Sequence, residues 1–450
     1  MTDENRPAER SGILKILGDI RVGERAPVFL MLLNLMIILI SYYIIKVVRE
    51  PLILASPGGA EWKSYSAAAQ AVVLMGFIPL YGWFASKVNR MKLVLGINVF
   101  FLICIELFSI AVKAEVPYIG VAFFIWVGIF SLSIIAQFWS LANDVYSEDQ
   151  GKRLFPIIAI GATLGSPIGS KLASALFDTG IAPPSILHIS AFLLVVSMGL
   201  YWILQMKYIH RIHAKSGSEQ QRLAGSNGFT LLFKSRYLLL IAALLLLLNI
   251  VNTTGEFILG SKVVEAADQA VQADSSVDKG AFIGSFYGNF FFVVNILTFL
   301  IQAFIASRLV KYFGIAGVVL ALPFIALGAY ATIAIGAGLV MVRWMKTAEN
   351  SMDYSVMNTA RAMLWLPTNR EQKYKGKQTV DTFIVRIGDL LSAGLVFVGL
   401  NWFGLQATGF AMVNIVTIGI WIVVGFLVVR KYRQLTARKD ESSDQQPVLA

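Results

Sequence analysis

Apolar stretches of about twenty residues, nearly free of charge, recur along this chain, and nothing constrains its fold more. A run of that length matches the roughly 30 Å hydrocarbon core of a bilayer when coiled as an α-helix. Strands of a membrane barrel would alternate in polarity over about ten residues, and these runs do not. The composition agrees: 57% of the residues are hydrophobic and 14% charged, against about half and a quarter in soluble domains. The expected class is an all-α integral membrane protein. Cys104, the single cysteine, stands inside an apolar run and has no partner for an intramolecular disulfide. The first 25 or so residues are polar and lead into a full-length span, so no cleavable signal peptide is expected.

Twelve spans are expected, near residues 28–50, 65–86, 93–112, 117–141, 155–176, 185–207, 237–260, 281–306, 315–335, 338–361, 380–400 and 405–429. With both tails cytoplasmic, the inner loops hold seventeen Lys and Arg, and the outer loops four: Lys63, Lys113, Lys262 and Lys279. Each tail adds five more to the inside, so the positive-inside rule orients the chain. The net charge of +11 is therefore mostly topological. Lipid headgroups are expected partners, while nucleic acid and an obligate protein partner are not.

The longest inner loop separates six spans from six. A faint repeat joins the halves: VVREPLIL (47–54) aligns with TTGEFILG (253–260), and ASKVNR (85–90) with ASRLVK (306–311). The expected division is a tail (1–27), a six-helix bundle (28–207), a linker (208–236), a second bundle (237–430) and a tail (431–450). Two parallel six-helix repeats form the pattern of a major facilitator superfamily-like transporter, with substrate bound between the halves. The turn GWFASKVNRMK resembles the loop after span 2 in that superfamily, without its usual Asp.

Gly161, Gly165 and Gly169, followed by Ser170 and Lys171, do not have P-loop spacing or context. Small residues at every fourth position instead let two helix backbones approach. His188, His210 and His213 form no metal-ligand pattern, so neither metal, cofactor nor catalytic centre is expected.

Charges inside the spans carry the functional signal, because each would cost about 3 kcal/mol or more facing lipid at the midplane. Lys46, Arg49, Lys171, Arg343, Lys346, Arg361 and Arg386 are the cations; Glu50, Glu106, Glu256, Glu349, Asp353 and Asp389 are the acids. Steps of about 100° put Lys46, Arg49 and Glu50 on one face of span 1. The repeat sets Glu256 of span 7 in the place of Glu50. In span 10, VRWMKTAENSMDYS places Arg343, Lys346, Glu349 and Asp353 along one stripe suited to ion pairs, read as gating pairs. Arg361, Arg386 and Asp389, with Lys152 and Arg153, make a more positive cytoplasmic cluster that suits phosphate. The expected substrate-binding set is Lys46, Arg49, Glu50, Glu256, Arg361, Arg386 and Asp389.

Four stretches resemble one family. FWSLANDVYSEDQGKRLFPIIAIGATLGS (138–166), DYSVMNTARAMLWLP (353–367), KYKGKQTVDTFIVRIGD (373–389) and YYIIKVVREPLIL (42–54) are similar to the nucleotide (ATP/ADP, NTP/NDP) translocases of plastids and intracellular bacteria. The resemblance implies a bacterial inner-membrane carrier exchanging nucleotides. It also implies roles for a basic residue on span 1, an acid on span 7 and a basic residue late in span 10, which fall on Arg49, Glu256 and Arg361. The acid it implies on span 4 falls near Val127, where this chain has none. The leading expectation is a secondary transporter of a nucleotide or related phosphorylated anion by alternating access, and not an enzyme. The alternatives are a proton-coupled carrier of another solute using Glu50, Glu256 or Asp353, and a structural or signalling membrane partner whose charges staple helices.

Overall fold

The computed structural model describes residues 20–85, 87–88, 90–207 and 228–444. Most of the N-terminal tail, most of the central linker with His210 and His213, the repeat residues Ser86 and Asn89, and the last six residues lie outside the described residues. A short 3-10 turn, Val22–Glu24, leads into α1 (Arg25–Leu54), α2 (Gly59–Ala85), α3 (Arg90–Lys113), α4 (Ile119–Val145), α5 (Glu148–Asp178) and α6 (Pro183–Lys207). After the linker come the short α7 (Gly228–Lys234), α8 (Arg236–Ala273), α9 (Lys279–Ile301), α10 (Ser307–Ala334), α11 (Leu339–Met352) and α12 (Asn358–Leu364). The chain ends in α13 (Lys377–Thr379), α14 (Val385–Asn401) and α15 (Ala407–Asp444). Every regular element among the described residues is helical, as the apolar runs require.

Nine helical stretches among the described residues are long and apolar enough to cross a membrane. The difference from twelve has two sources. Expected spans 8 and 9 form one continuous stretch, Lys279–Ala334, bent where Gly314 takes a φ of +59°, a conformation that favours glycine. Expected span 5 falls on α5, whose glycines, serines and prolines make it less apolar, and expected span 10 on α11 with α12, which carry the charges discussed below.

The helices group into two compact units that are not consecutive in sequence. The first holds α1, α2 from Gly76, α3 to α6, and the stretch from Val271 to Asn295. The second holds the start of α2 (Pro57–Met75), α8 to Ala270, and the chain from Ile296 onward.

In the first unit α1 is the central post. Gly161, Gly165 and Gly169 of α5 lie directly on its backbone: added Cβ atoms would collide with the carbonyl oxygens of Leu32, Met36 and Ile40, the last two at 2.5 and 2.6 Å. Both sets step by four, so the contact runs along two helix ridges. On another flank, Ser41 and Ser190 exchange hydroxyl-to-carbonyl bonds between α1 and α6, and Ser197 donates to Asn34 Oδ1 at 2.6 Å. Phe101, Phe108, Phe123, Trp126 and Phe130 stack α3 against α4 with ring centroids 5.0–6.0 Å apart. A capping box starts α5, in which Ser147 and Gln150 satisfy each other's backbone N–H.

In the second unit α8 is the post. Asn249 donates to the Val385 carbonyl and Thr254 meets Ser392, fastening α14, while Asn414 of α15 donates to the Val251 carbonyl. This unit also carries four π-helical turns, Gln302–Ala306, Asp353–Met357, Gln372–Gly376 and Val380–Ile384. Such turns cluster at functional sites.

The glycine ridge is directly testable. Gly165→Ala is expected to lower the thermal midpoint of the purified protein, at a cost of about 1–3 kcal/mol from forced backbone separation. Gly199→Ala on α6, whose added Cβ meets nothing within 4 Å, should leave it unchanged.

Candidate functional site

The charged residues read from sequence fall into four side-chain groups. On α1, in the first unit, Arg49 pairs with its neighbour Glu50, which is fully buried, and the guanidinium lies 4.3 Å from the centre of the Phe124 ring. One turn earlier Lys46 Nζ sits between the rings of Phe291, at 4.2 Å, and Tyr43, at 5.1 Å. Aromatic faces attract a cation through the ring quadrupole. Tyr43 is fixed in turn by a hydroxyl bond to Asn295 Oδ1 of α9 at 3.1 Å.

A denser group is built in the second unit around α8 and α11. Lys346, nine-tenths buried and more, contacts Glu349 at 3.1 Å, Asn252 Oδ1 at 3.0 Å and Glu256 at 3.8 Å. Glu256 also takes the Asn350 amide at 3.1 Å and Lys63 Nζ at 3.5 Å. Tyr330 of α10 donates to Glu349 and lies against the Val251 carbonyl. Two lysines and two glutamates balance, so the group is neutral as built. Gly255 makes the packing possible, because a Cβ there would collide with the Tyr330 hydroxyl and come within 2.9 Å of Lys346 Nζ.

The third and fourth groups, also in the second unit, each join one arginine to one aspartate. Arg361 Nη2 is 3.4 Å from Asp353 Oδ1. Arg386 Nη1 is 3.3 Å from Asp389 Oδ2, while Asp389 Oδ1 also accepts from Asn249 at 2.8 Å and Thr253 at 3.1 Å. Both arginines keep a buried Nε–H with no acceptor among the described residues. A guanidinium with part of its fork unused is a ready donor to an added anion.

Several placements differ from the sequence reading. Asp353 pairs with Arg361 rather than extending the Lys346–Glu349 stripe. Eight residues separate Asp353 from Arg361, about 80° out of line on an ideal helix, but the π turn Asp353–Met357 absorbs one residue and brings them to one side. Arg343 stands one turn before Lys346, its carbonyl accepting from Thr347. Lys63 is no outer-loop charge: α2 begins at Gly59, so Lys63 is inside the helix, buried and on Glu256. The early start was legible in GAEWKSYS, a run without a helix breaker after Gly59. Tyr330, Asn252 and Asn350 are neutral and gave no charge signal. Arg153, read as part of a cytoplasmic phosphate cluster, is held by Glu24, and Lys152 pairs with Glu148 on its own helix. Of the remaining membrane charges, Lys171 donates to Asn289 and Glu106 meets His188. Val127 is buried on α4. Among the described residues no three His, Cys, Asp or Glu side chains are grouped to hold a metal.

A family model described as TLC ATP/ADP transporter matches residues 119–434. The chain is 21% identical over 353 residues to ADP,ATP carrier protein 1 of Chlamydia trachomatis serovar D, covering 69% of this chain and 65% of that one. It is 22% identical over 481 residues to ADP,ATP carrier protein 2 of the same organism, covering 88% and 86%. The chain thus spans just under two thirds of the first of these relatives. Among solved structures, it resembles a nucleoside transporter, NupG, at 16% identity and TM-score 0.60, covering 89% of this chain and 98% of that one. It also resembles the POT family transporter PepTSo at 12% identity and TM-score 0.63, covering 91% and 98%. These likenesses show a major facilitator-type transporter fold.

The Lys346 group yields a stability test. Lys346→Met leaves Glu349 and Glu256 facing each other without their shared cation, at an expected cost of about 3–5 kcal/mol. Adding Glu349→Gln removes one of the stranded charges, so the double variant should recover part of that loss in thermal unfolding.

Proposed function

Because this chain belongs to the TLC ATP/ADP transporter family, we propose that it carries a nucleotide or related phosphorylated anion across a membrane by alternating access, in exchange for a second such anion. It is a multi-pass membrane transporter; on this reading it has twelve crossings in two six-helix repeats with both tails cytoplasmic, in a bacterial inner membrane, and needs no protein partner. The solute is moved, not transformed.

The observation that carries the reading is the pair of arginines, Arg361 and Arg386, each shared with one aspartate and each holding a buried, unused Nε–H. A phosphate offers more acceptor oxygens than the aspartate it displaces, and guanidinium forks match it bidentately. Arriving solute takes Arg361 from Asp353 and Arg386 from Asp389, and the released carboxylates then destabilise the conformation the pairs had held. Coupling arises from this difference in binding between conformations. Lys46 and Arg49 are the proposed solute-binding cations of the first unit. In the second unit the Glu256–Lys63–Lys346–Glu349 group acts as a gate that closes by pairing and opens by trading partners.

Val127 favours a second reading within the same family. Where the resemblance implies an acid, this chain has a buried valine and so one negative charge fewer. A solute of different charge, carried with a proton on Glu50, Glu256 or Asp353, fits that balance. Uptake into liposomes driven by a pH step, without counter-solute inside, would support this second reading.

Binding separates the readings from each other and from a purely structural protein. A ligand that binds the folded state stabilises it by about 2.7 kcal/mol at a hundred times its dissociation constant. ATP or ADP is expected to raise the thermal midpoint of the purified protein, and Arg361→Ala and Arg386→Ala to remove the shift. An undiminished shift in both variants would overturn the assignment of the arginines.

A further inference from the structure

The turn before α1 is joined to the N-terminal end of α5 by one carboxylate. Glu24 Oε1 accepts from Arg153 Nη2 at 2.9 Å and from the Gln150 amide at 3.1 Å. Its Oε2 accepts from Arg153 Nη1 at 3.1 Å and from the Arg21 backbone N–H at 3.0 Å. Glu24 is 9% exposed. Four donors therefore meet in one place, beside the first turn of a 31-residue helix whose N-terminal end favours negative charge.

A fifth donor stands by. Tyr146, 8% exposed and wedged edge-on against Phe155, has a buried hydroxyl with no acceptor among the described residues. Burial first, and then the Glu24 charge, push that hydroxyl's pKa upward, so it stays protonated and remains a donor. A carboxylate leaves this donor unserved, whereas a tetrahedral anion has oxygens enough for all five. Of the nearby acids, Glu148 is turned onto Lys152 at 2.8 Å, and Asp144 and Asp149 are exposed. Arg21 and Arg25 flank Glu24 in the chain.

We propose that Arg153, Gln150, the Arg21 N–H and Tyr146 form a second anion site, for a phosphate group, and that Glu24 occupies it as a built-in plug. Burial alone would raise the Glu24 pKa, but the Arg153, Arg21 and Gln150 bonds outweigh it and hold the group below the ordinary glutamate value. Glu24 is therefore ionised at neutral pH and competes with outside phosphate. Contribution of the plug to stability is present above the unfolded glutamate pKa and is lost as pH falls through the lower folded value. The identification of phosphate rests on the proposed phosphorylated solute; the donor cradle itself does not.

The test uses the full purified chain and inorganic phosphate, with chloride added to keep ionic strength constant. Phosphate is expected to bind Glu24→Ala at least tenfold more tightly than wild type, read as a concentration-dependent rise in thermal midpoint. Adding Arg153→Gln should abolish that gain, and adding Tyr146→Phe should weaken it severalfold. Should Glu24→Ala fail to fold, Glu24→Gln keeps the shape without the charge and is expected to gain affinity in the same direction. Repeating the measurement with Arg361→Ala and Arg386→Ala in place separates this site from the proposed solute site, since the gain should survive there. No gain on removing the Glu24 charge, or a gain indifferent to Arg153, would overturn the proposal.

Discussion

A charge held inside a bilayer must find a partner in the protein, and the arrangement of this molecule's membrane-facing interior follows from how each such charge is satisfied. Arg49 has Glu50, Lys346 has Glu349 and Glu256, Arg361 has Asp353, and Arg386 has Asp389. Lys46 is held by two aromatic rings. Replacing a buried ion pair by apolar residues of similar volume is often neutral or stabilising, so these pairs are weak evidence of helix cohesion. On the proposed function, their cost is accounted for by exchange of partners with the solute. The helices have other means of cohesion as well.

Those means are mostly apolar and backbone-deep. The ridge of Gly161, Gly165 and Gly169 lets α5 lie on the α1 carbonyls of Leu32, Met36 and Ile40, a contact that continues past midspan toward Lys46. With no side chain between the backbones, the contact has little freedom to loosen, and α1 presents its charged end at a fixed angle. Gly255 does the opposite task in the second unit. It makes room beside α8 for Tyr330 and Lys346, converting a helix surface into a socket for a buried cation. One glycine pattern removes space between helices and the other creates it.

The two kinds of glycine differ in how legible they were. A spacing of four within an apolar run signals close packing by itself, and the α1–α5 ridge could be read from IGATLGSPIGS alone. Gly255 beside Glu256 has no spacing to reveal it, and its partners Tyr330, Asn252 and Asn350 are neutral. Lys346 and Glu349 were legible because an ideal helix puts residues three apart on one side. The pairing of Asp353 with Arg361 was hidden by the same rule, because the π turn that starts at Asp353 shifts everything after it, Arg361 included, by one residue. Lys63 was assigned to a loop because a hydropathy run starts later than the helix that contains it. Helix type and broad architecture follow from local periodicity; the identity of each ion partner depends on insertions and neutral neighbours that periodicity does not encode.

Arginine to carboxylate is the recurring element, and besides Arg49 with Glu50 it takes two forms here. Arg153 with Glu24 is doubly bonded, supplemented by two further donors and buried; Arg361 with Asp353 and Arg386 with Asp389 are single contacts at 3.4 and 3.3 Å with a guanidinium N–H left over. Charge-assisted forks gain strength from two parallel bonds, so the first pair is the harder to break and the other two are the easier. An anion carrier that releases its solute needs the second kind at the transport site, where binding must be reversible on each cycle. The stronger kind suits a contact that stays closed unless a competing anion is abundant. On the two proposals above, the three arginines, alike in chemistry, are ranked by geometry: Arg361 and Arg386 would change partners with every solute, and Arg153 only when phosphate outcompetes the chain's own glutamate.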